Sequence, residues 1–460
     1  MKPTLVLNVV GLTEHLLGEH TPSLRAFAAR GALRHLTTIT PAVTCSVQAT
    51  LLTGRLPREH GIVGNGWYFR DLAEVWFWRQ SNRLVHAPKV WDAARARDAS
   101  FTVANLFWWY NMYSSADYSV TPRPMYPIDG RKIPDIYTQP EELRGELNQA
   151  LSQFPLFKFW GPAADISSSR WITASALHVM RTRSPSLTLV YLPHLDYDLQ
   201  RFGPDLGEAR VRQSLSEVDA CCGELIEAAE KRGRRVVVLS EYGITVVSAA
   251  IDINRALRRA ELLCVREELG RELLDAGASD AFAVVDHQVA HVYVRRPELI
   301  ERVGALIAAL PGVERVLGRA ECAEIGLDHE RSGELVAIAK ADRWFSYYYW
   351  LDPLRTPDFA STVDIHRKPG YDPVELFLDP KLSWPKLGIG WRLAKRAAGF
   401  RALMDVISPD DTSLVKGSHG RLTEDPRQGP LFISNAPEIA GSGPIHATGV
   451  FDQLLAHLFD

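Results

Sequence analysis

Four short runs of apolar, β-favouring residues punctuate the chain: Leu5–Val10, Phe101–Leu106, Leu187–Leu192 and Val236–Leu239. None alternates polar with apolar, so each is predicted to be covered on both faces. Between them lie stretches with apolar residues at three- and four-residue spacing, including Pro22–Arg30, Trp171–Arg181 and Ala209–Lys231, which predict helices. Strands alternating with helices predict an α/β chain whose mostly parallel sheet is sandwiched by helices. In such sheets ligands bind beyond the carboxyl ends of the strands. Gly11-Leu12-Thr13, Pro193-His194-Leu195-Asp196 and Ser240-Glu241-Tyr242-Gly243 each follow a strand end, so a site is expected to collect them.

Two regions depart from this rhythm. From Gly66 to Gly161 the chain is dense in Trp, Tyr and Pro (W-Y-F-R-D, F-W-W-Y-N-M-Y, T-P-R-P-M-Y-P), which predicts an aromatic-rich insertion or lid over 66–161. From Asn254 to about Gly318 a helix, a strand at Val289–Val294, a second helix and a Gly312–Val316 strand predict a small α+β subdomain over 256–330. Residues 1–255 and 331–460 then form the core.

Bulk properties narrow the function classes. A chain of 460 residues that is 46% apolar can bury a large core. A formal charge of -3 argues against a nucleic-acid polymer as partner and leaves a small polar or anionic molecule open. The cysteines at 45, 221, 222, 264 and 322 lack C-x-x-C spacing, which argues against a disulfide framework or a zinc knuckle and fits reduced thiols in a cytoplasm. The N-terminal run reads as a first strand rather than a signal peptide. No apolar run approaches the roughly 20 residues of a membrane span. The basic segment Lys386–Arg401, with Trp391 and Leu393, reads as a surface helix, with weak peripheral membrane contact as its alternative.

The chemistry gathers around P-A-V-T-C-S-V-Q-A-T-L-L-T-G-R-L-P-R-E-H-G-I-V-G-N, residues 41–65. Here Thr44 is predicted at a helix N-terminus, where free N–H groups and the helix dipole favour an anion. An N-cap is the purely structural alternative. Adjacent Cys45 has no cationic neighbour in sequence to hold a thiolate and reads as a packed thiol.

This segment resembles the nucleophile segment of the alkaline phosphatase superfamily, particularly its nucleotide pyrophosphatase/phosphodiesterase and phosphonoacetate hydrolase branch. There a nucleophilic Thr precedes an apolar-T-G element and then H-G-I, matched by Leu51-Leu52-Thr53-Gly54 and His60-Gly61-Ile62. In that register the nucleophile is Thr44. The sulfatase pattern C-x-P-S-R puts its Cys on Thr44 too, leaving Cys45 one position out. The resemblance implies an alkaline phosphatase-like core, two metal ions that activate the attacking oxygen and stabilise the leaving one, and a phospho-Thr intermediate.

Carried over residue by residue, the implied metal set is incomplete. Asp196 matches in D-x-x-x-H-x-x-G, but the His position is Gln200. Glu241 stands for Asp in S-D-H-G-M, and Tyr242 for the His. Val10 stands for the first-strand Asp, with Asn8 on the same strand face as a weak substitute. Val47 stands for the phosphoryl-binding Asn. His419 in G-S-H-G-R matches the last metal loop. Among replacements, His194 and Asp198 would share a face with Asp196 if that segment stays extended. His287 and His291 would sit about 13 Å apart on one strand. The turn Asp364–Asp372 (D-I-H-R-K-P-G-Y-D), similar to a segment in some phosphodiesterases of this group, offers His366 as ligand and Arg367 and Lys368 as phosphate contacts. The expectation is a hydrolase of small phosphoric esters using Thr44 and one or two divalent ions, zinc or manganese, with Asp196, Glu241 and His419 as ligands, Asn8, His366 and Gln200 as weaker ones, and Tyr242, Arg367 and Lys368 on substrate. A non-catalytic descendant binding a ligand or partner in the former cleft is the alternative.

Overall fold

The computed structural model describes residues 1–460 except 129, 398, 399, 401 and 410. Its main sheet has nine strands among the described residues, and its centre is Thr4–Val9, every residue of which is buried. That strand pairs in parallel with Leu187–Leu192 on one side and Arg235–Leu239 on the other. Beyond Leu187–Leu192 come Val103–Leu106 and Tyr118–Pro122, both parallel, and an antiparallel edge, Ile136–Gln139. On the other flank Leu431–Ser434 runs antiparallel between Arg235–Leu239 and Ala32–Thr37. Helices Pro22–Arg30, Ser167–Thr182 and Ala209–Glu230 lie where the apolar spacing puts them. Continuous apolar strands and covering helices thus agree. The stretch 66–161 is no simple lid. It supplies three strands of this sheet, because the aromatic F-W-W-Y run continues directly from the buried strand Val103–Leu106.

A second, four-stranded antiparallel sheet contains Ala281–Asp286, Val289–Val294, Leu335–Ala339 and Val313–Leu317 in that spatial order. It takes in Leu335–Ala339, beyond the subdomain boundary expected at 330. Residues 285–291 are not one strand either. They form a hairpin whose turn is His287-Gln288, with His287 at φ +60°. The Gln288 N–H donates to the His419 carbonyl (2.9 Å) and so fastens this hairpin to the main sheet's loops. Gly420, at φ +112°, lies where a Cβ would come within 3.1 Å of that same Gln288 nitrogen, so the close approach depends on glycine.

Two buried charge arrangements hold the surrounding loops. Lys368 is 1% exposed and its Nζ meets Asp372 at 2.7 Å and Glu375 at 2.8 Å. Asp286 accepts from the Asn65 backbone N–H (2.7 Å) and side-chain amide (3.0 Å), and burial pushes its carboxyl up to about 7. Replacing Lys368 by Met leaves two buried acids without their cation and is expected to cost about 3–5 kcal/mol. A lowered urea midpoint at unchanged m-value would register it; an unmoved midpoint would show the triad to be dispensable. For Asp286 the folded carboxyl binds its proton more tightly than the unfolded one, near 3.9. Its contribution to stability is therefore full below pH about 4 and lost as pH rises through about 7. Asp286→Asn is expected to flatten the fall in urea midpoint between acidic and alkaline buffer. An equal fall in both proteins would refute this assignment.

Candidate active site

Thr44 is the first residue of the helix Thr44–Thr53, and every residue of that helix is buried. Its Oγ1 lies 3.0 Å from the Tyr242 hydroxyl. Cys45 N–H donates to Asn65 Oδ1 at 2.9 Å, which ties the helix start to the residue that also holds Asp286. The Cys45 thiol is buried, and burial with the nearby Asp286 carboxylate pushes its pKa up, so it stays protonated.

Glu241 and Tyr242 follow the strand Arg235–Leu239. Parallel register pairs Asn8 with Leu239, which sets the Asn8 amide beside Glu241 two residues on. Glu241 Oε1 accepts from Asn8 Nδ2 at 2.5 Å and from Gln48 Nε2 at 2.6 Å, while Oε2 is buried without a hydrogen-bond partner. Burial pushes this carboxyl up to about 8, against the pull of Gln48, Asn8 and Thr44.

Asp196 lies not on extended chain but in the first turn of the helix His194–Phe202. The helix pairs residues four apart, so Gln200 Nε2 donates to Asp196 Oδ2 at 2.7 Å. Tyr242 donates to Asp196 Oδ1 at 3.3 Å. Burial raises Asp196 to about 7. The same geometry removes His194 and Asp198 from the site: His194 Nε2 meets Glu217 at 3.0 Å, and Asp198 takes Arg201 at 2.8 Å.

His419 Nδ1 bonds the Ala42 carbonyl at 2.8 Å, leaving Nε2 3.9 Å from Asp196 Oδ1. Burial lowers its pKa to about 3, so the ring is neutral at pH 7 and makes no ion pair there. It stacks flat on Tyr242, centroids 3.6 Å apart at 7°, and against His287 at 3.6 Å. His287 in turn stacks on Tyr371 (3.7 Å), whose hydroxyl donates to Gln200 Oε1 at 2.9 Å. Trp78 packs on Trp109 at 4.7 Å and on Tyr371 at 6.2 Å. The Trp109 backbone N–H donates to Gln48 Oε1 (2.8 Å), which connects the aromatic stretch to Glu241.

Thr44, Asp196, Gln200, Glu241, Tyr242 and His419 therefore come together, with Asn8 behind Glu241. The phosphate contacts expected in 364–372 do not join them. Lys368 is buried in its own acid pair, and Arg367 is exposed beside Asp364 at 3.4 Å. His366 turns to the Phe77 carbonyl at 3.4 Å. That turn contributes Tyr371 instead. Sequence reading also passed over Asn65, Asp286 and the approach of His287, which only the hairpin turn brings about; Asn65 closes the nucleophile stretch, and that was its one signal.

The donors present do not complete a two-ion centre. Among the described residues no three His, Cys, Asp or Glu side chains converge as a metal site. Gln200 spends its oxygen on Tyr371. The Tyr242 phenol bonds both Thr44 and Asp196, so one oxygen of each candidate ligand is already engaged.

Comparison with known proteins gives a consistent lineage. A pyrophosphatase/phosphodiesterase of Schizosaccharomyces pombe, itself uncharacterised, is 26% identical over 255 residues, 53% of this chain and 45% of that one. Ectonucleotide pyrophosphatase/phosphodiesterase 2 of Saccharomyces cerevisiae is 26% identical over 219 residues, 45% of this chain and 39% of that one. The chain thus spans less than half the length of these relatives. Murine ectonucleotide pyrophosphatase/phosphodiesterase 5 shares the fold at a TM-score of 0.60 and 14% identity, covering 99% of this chain and 95% of that one. Phosphonoacetate hydrolase from Sinorhizobium meliloti, in complex with phosphonoformate, does so at 0.60 and 16%, covering 99% and 96%. These likenesses carry the alkaline phosphatase-like α/β fold. Residues 4–372 match one family over most of the chain, and the protein belongs to it: type I phosphodiesterase / nucleotide pyrophosphatase.

Proposed function

We propose that the chain hydrolyses a phosphoric ester bond, phosphodiester or pyrophosphate, in a small molecule, with Thr44 as nucleophile. The observation that carries this is the setting of Thr44. It heads a ten-residue helix, whose dipole favours an anionic phosphoryl group, and its hydroxyl lies 3.0 Å from the Tyr242 hydroxyl, with the Glu241 carboxyl adjacent to Tyr242 in the chain. Family membership supports the reaction class. A murine relative of the same fold has been captured, as an inactive variant, in complex with AMP. A flat nucleobase-like leaving group suits the Trp78–Trp109 pair beside this site.

In this reading the Thr44 Oγ–P bond forms as the P–O bond to the leaving group breaks. The Thr44 proton passes to Glu241 in its ionised form, which prevails above pH about 8, and the departing oxygen takes a proton from solvent. Water then adds to phosphorus, giving up a proton to solvent, and Thr44 leaves, recovering its proton from Glu241. Asn8 and Gln48 hold Glu241 in place for both transfers. Tyr242 orients the Thr44 hydroxyl. The family is in general one of metal-dependent phosphoesterases, but no step is assigned to an ion that this donor set does not fit.

Thr44→Ala is expected to lower release of p-nitrophenol from bis-p-nitrophenyl phosphate by about a thousandfold or more. Acid-quenched wild type should carry phosphate on Thr44 by mass spectrometry. A variant as active as wild type, or a wild type that turns nothing over, would sink the proposal. Metal content gives a separate reading. Protein loaded with zinc or manganese and then desalted is expected to retain well under one ion per chain, and Gln200→His with Tyr242→His to raise zinc retention by restoring imidazole donors. Stoichiometric zinc in wild type would instead mean that Asp196, Glu241 and His419 rearrange around it.

A further inference from the structure

The helix expected near Lys386–Arg401 spans Pro385–Ala397, and Arg401 lies outside the described residues. Its surface differs from the rest of the molecule. Leu387 and Trp391 are 70% and 64% exposed, at the four-residue spacing that aligns them on one helical stripe, and Trp384, just before the helix, is 77% exposed. Just beyond the helix, Phe400 and Leu403 are 68% and 51% exposed. On the opposite side Ile389 packs against a small cluster containing Val374, Val406 and Val415. Arg392 bonds Asp405 at 2.6 Å, which fixes the helix against the following chain. The apolar stripe is thus turned outward by construction, since the inward contacts are already made.

The charge is equally one-sided. Between Pro380 and Met404 the sequence has six Lys or Arg and no Asp or Glu, in a chain whose formal charge is -3. Lys395 Nζ sits 5.3 Å over the Trp391 ring, so a cation and an aromatic face are presented together. A second copy of this segment would set an excess of like charge against itself. An apolar protein groove would desolvate the same charges without pairing them. A bilayer with anionic headgroups matches both halves: indole and leucine side chains enter the boundary between headgroups and acyl chains, and the cations stay among the phosphates. No described helix is long and apolar enough to cross a membrane, so the contact would be in-plane.

We infer that the segment around Pro385–Ala397 docks the protein on an anionic lipid surface. The inference is independent of the reaction proposed at Thr44. Sedimentation of the full chain with vesicles tests it, comparing phosphatidylcholine alone with phosphatidylcholine containing phosphatidylserine. Wild type is expected to pellet with the second and not the first, and to be released by salt. Leu387→Ser with Trp391→Ser, and separately Lys381→Gln with Lys395→Gln, are each expected to weaken binding at least about tenfold with an unchanged melting temperature. Failure to pellet, or pelleting that neither variant reduces, would overturn it. So would concentration-dependent dimerisation in solution that the Leu387/Trp391 variant abolishes, since the occupant would then be a second copy.

Discussion

Three carboxylates, on Asp196, Glu241 and Asp286, are held out of water beside Thr44, and the donors that meet them are neutral. Gln200 and Tyr242 hold the first, Asn8 and Gln48 the second, Asn65 the third. A buried charge costs several kcal/mol unless hydrogen bonds or a counter-ion offset it. Amides and a phenol offset it only in part, which is why burial leaves all three carboxyls titrating near neutrality. The Lys368 triad, a short way along the chain, solves the same problem by the other route, with a fully buried cation between two acids. One protein therefore contains both solutions, and the site uses the neutral one.

The fold delivers these groups from separate elements, and most joints are backbone hydrogen bonds. Gln288 grips the His419 carbonyl, Ala42 bonds Gly420, and the first strand's register fixes Asn8 beside Glu241. The second sheet is in this sense part of the site's frame, since its hairpin turn carries His287 into the stack of His419 and Tyr371.

Continuous apolar runs and spacing near 3.6 are enough to read the central strands, the long helices and the helix that begins at Thr44, because each depends on burial of its own local sequence. Aromatic composition misled for 66–161, since density of Trp and Tyr does not distinguish a lid from residues flanking a buried strand. A hairpin looks like a continuous strand when its turn is His-Gln rather than Asn-Gly, and that concealed the approach of His287. The extended reading of Pro193–Asp198 failed because a strand end and a helix start share the same few residues. Lys368 read as a phosphate contact because its partners, Asp372 and Glu375, are also nearby in sequence and equally fit a turn. Such ambiguity is intrinsic: a charge's partner is set by tertiary contact, which spacing alone does not encode.

The double clamp on Asp196 also bears on how this site can change over generations. Gln200 and Tyr242 act on the two oxygens of one carboxylate, and Gln200 is itself braced by Tyr371. Residues that share a partner do not contribute independently. A lone change at 200 or 242 strands a buried oxygen that its neighbour cannot cover, whereas a joint change can exchange one satisfied arrangement for another. The path between this site and a metal-holding one is therefore epistatic, with single steps disfavoured in both directions.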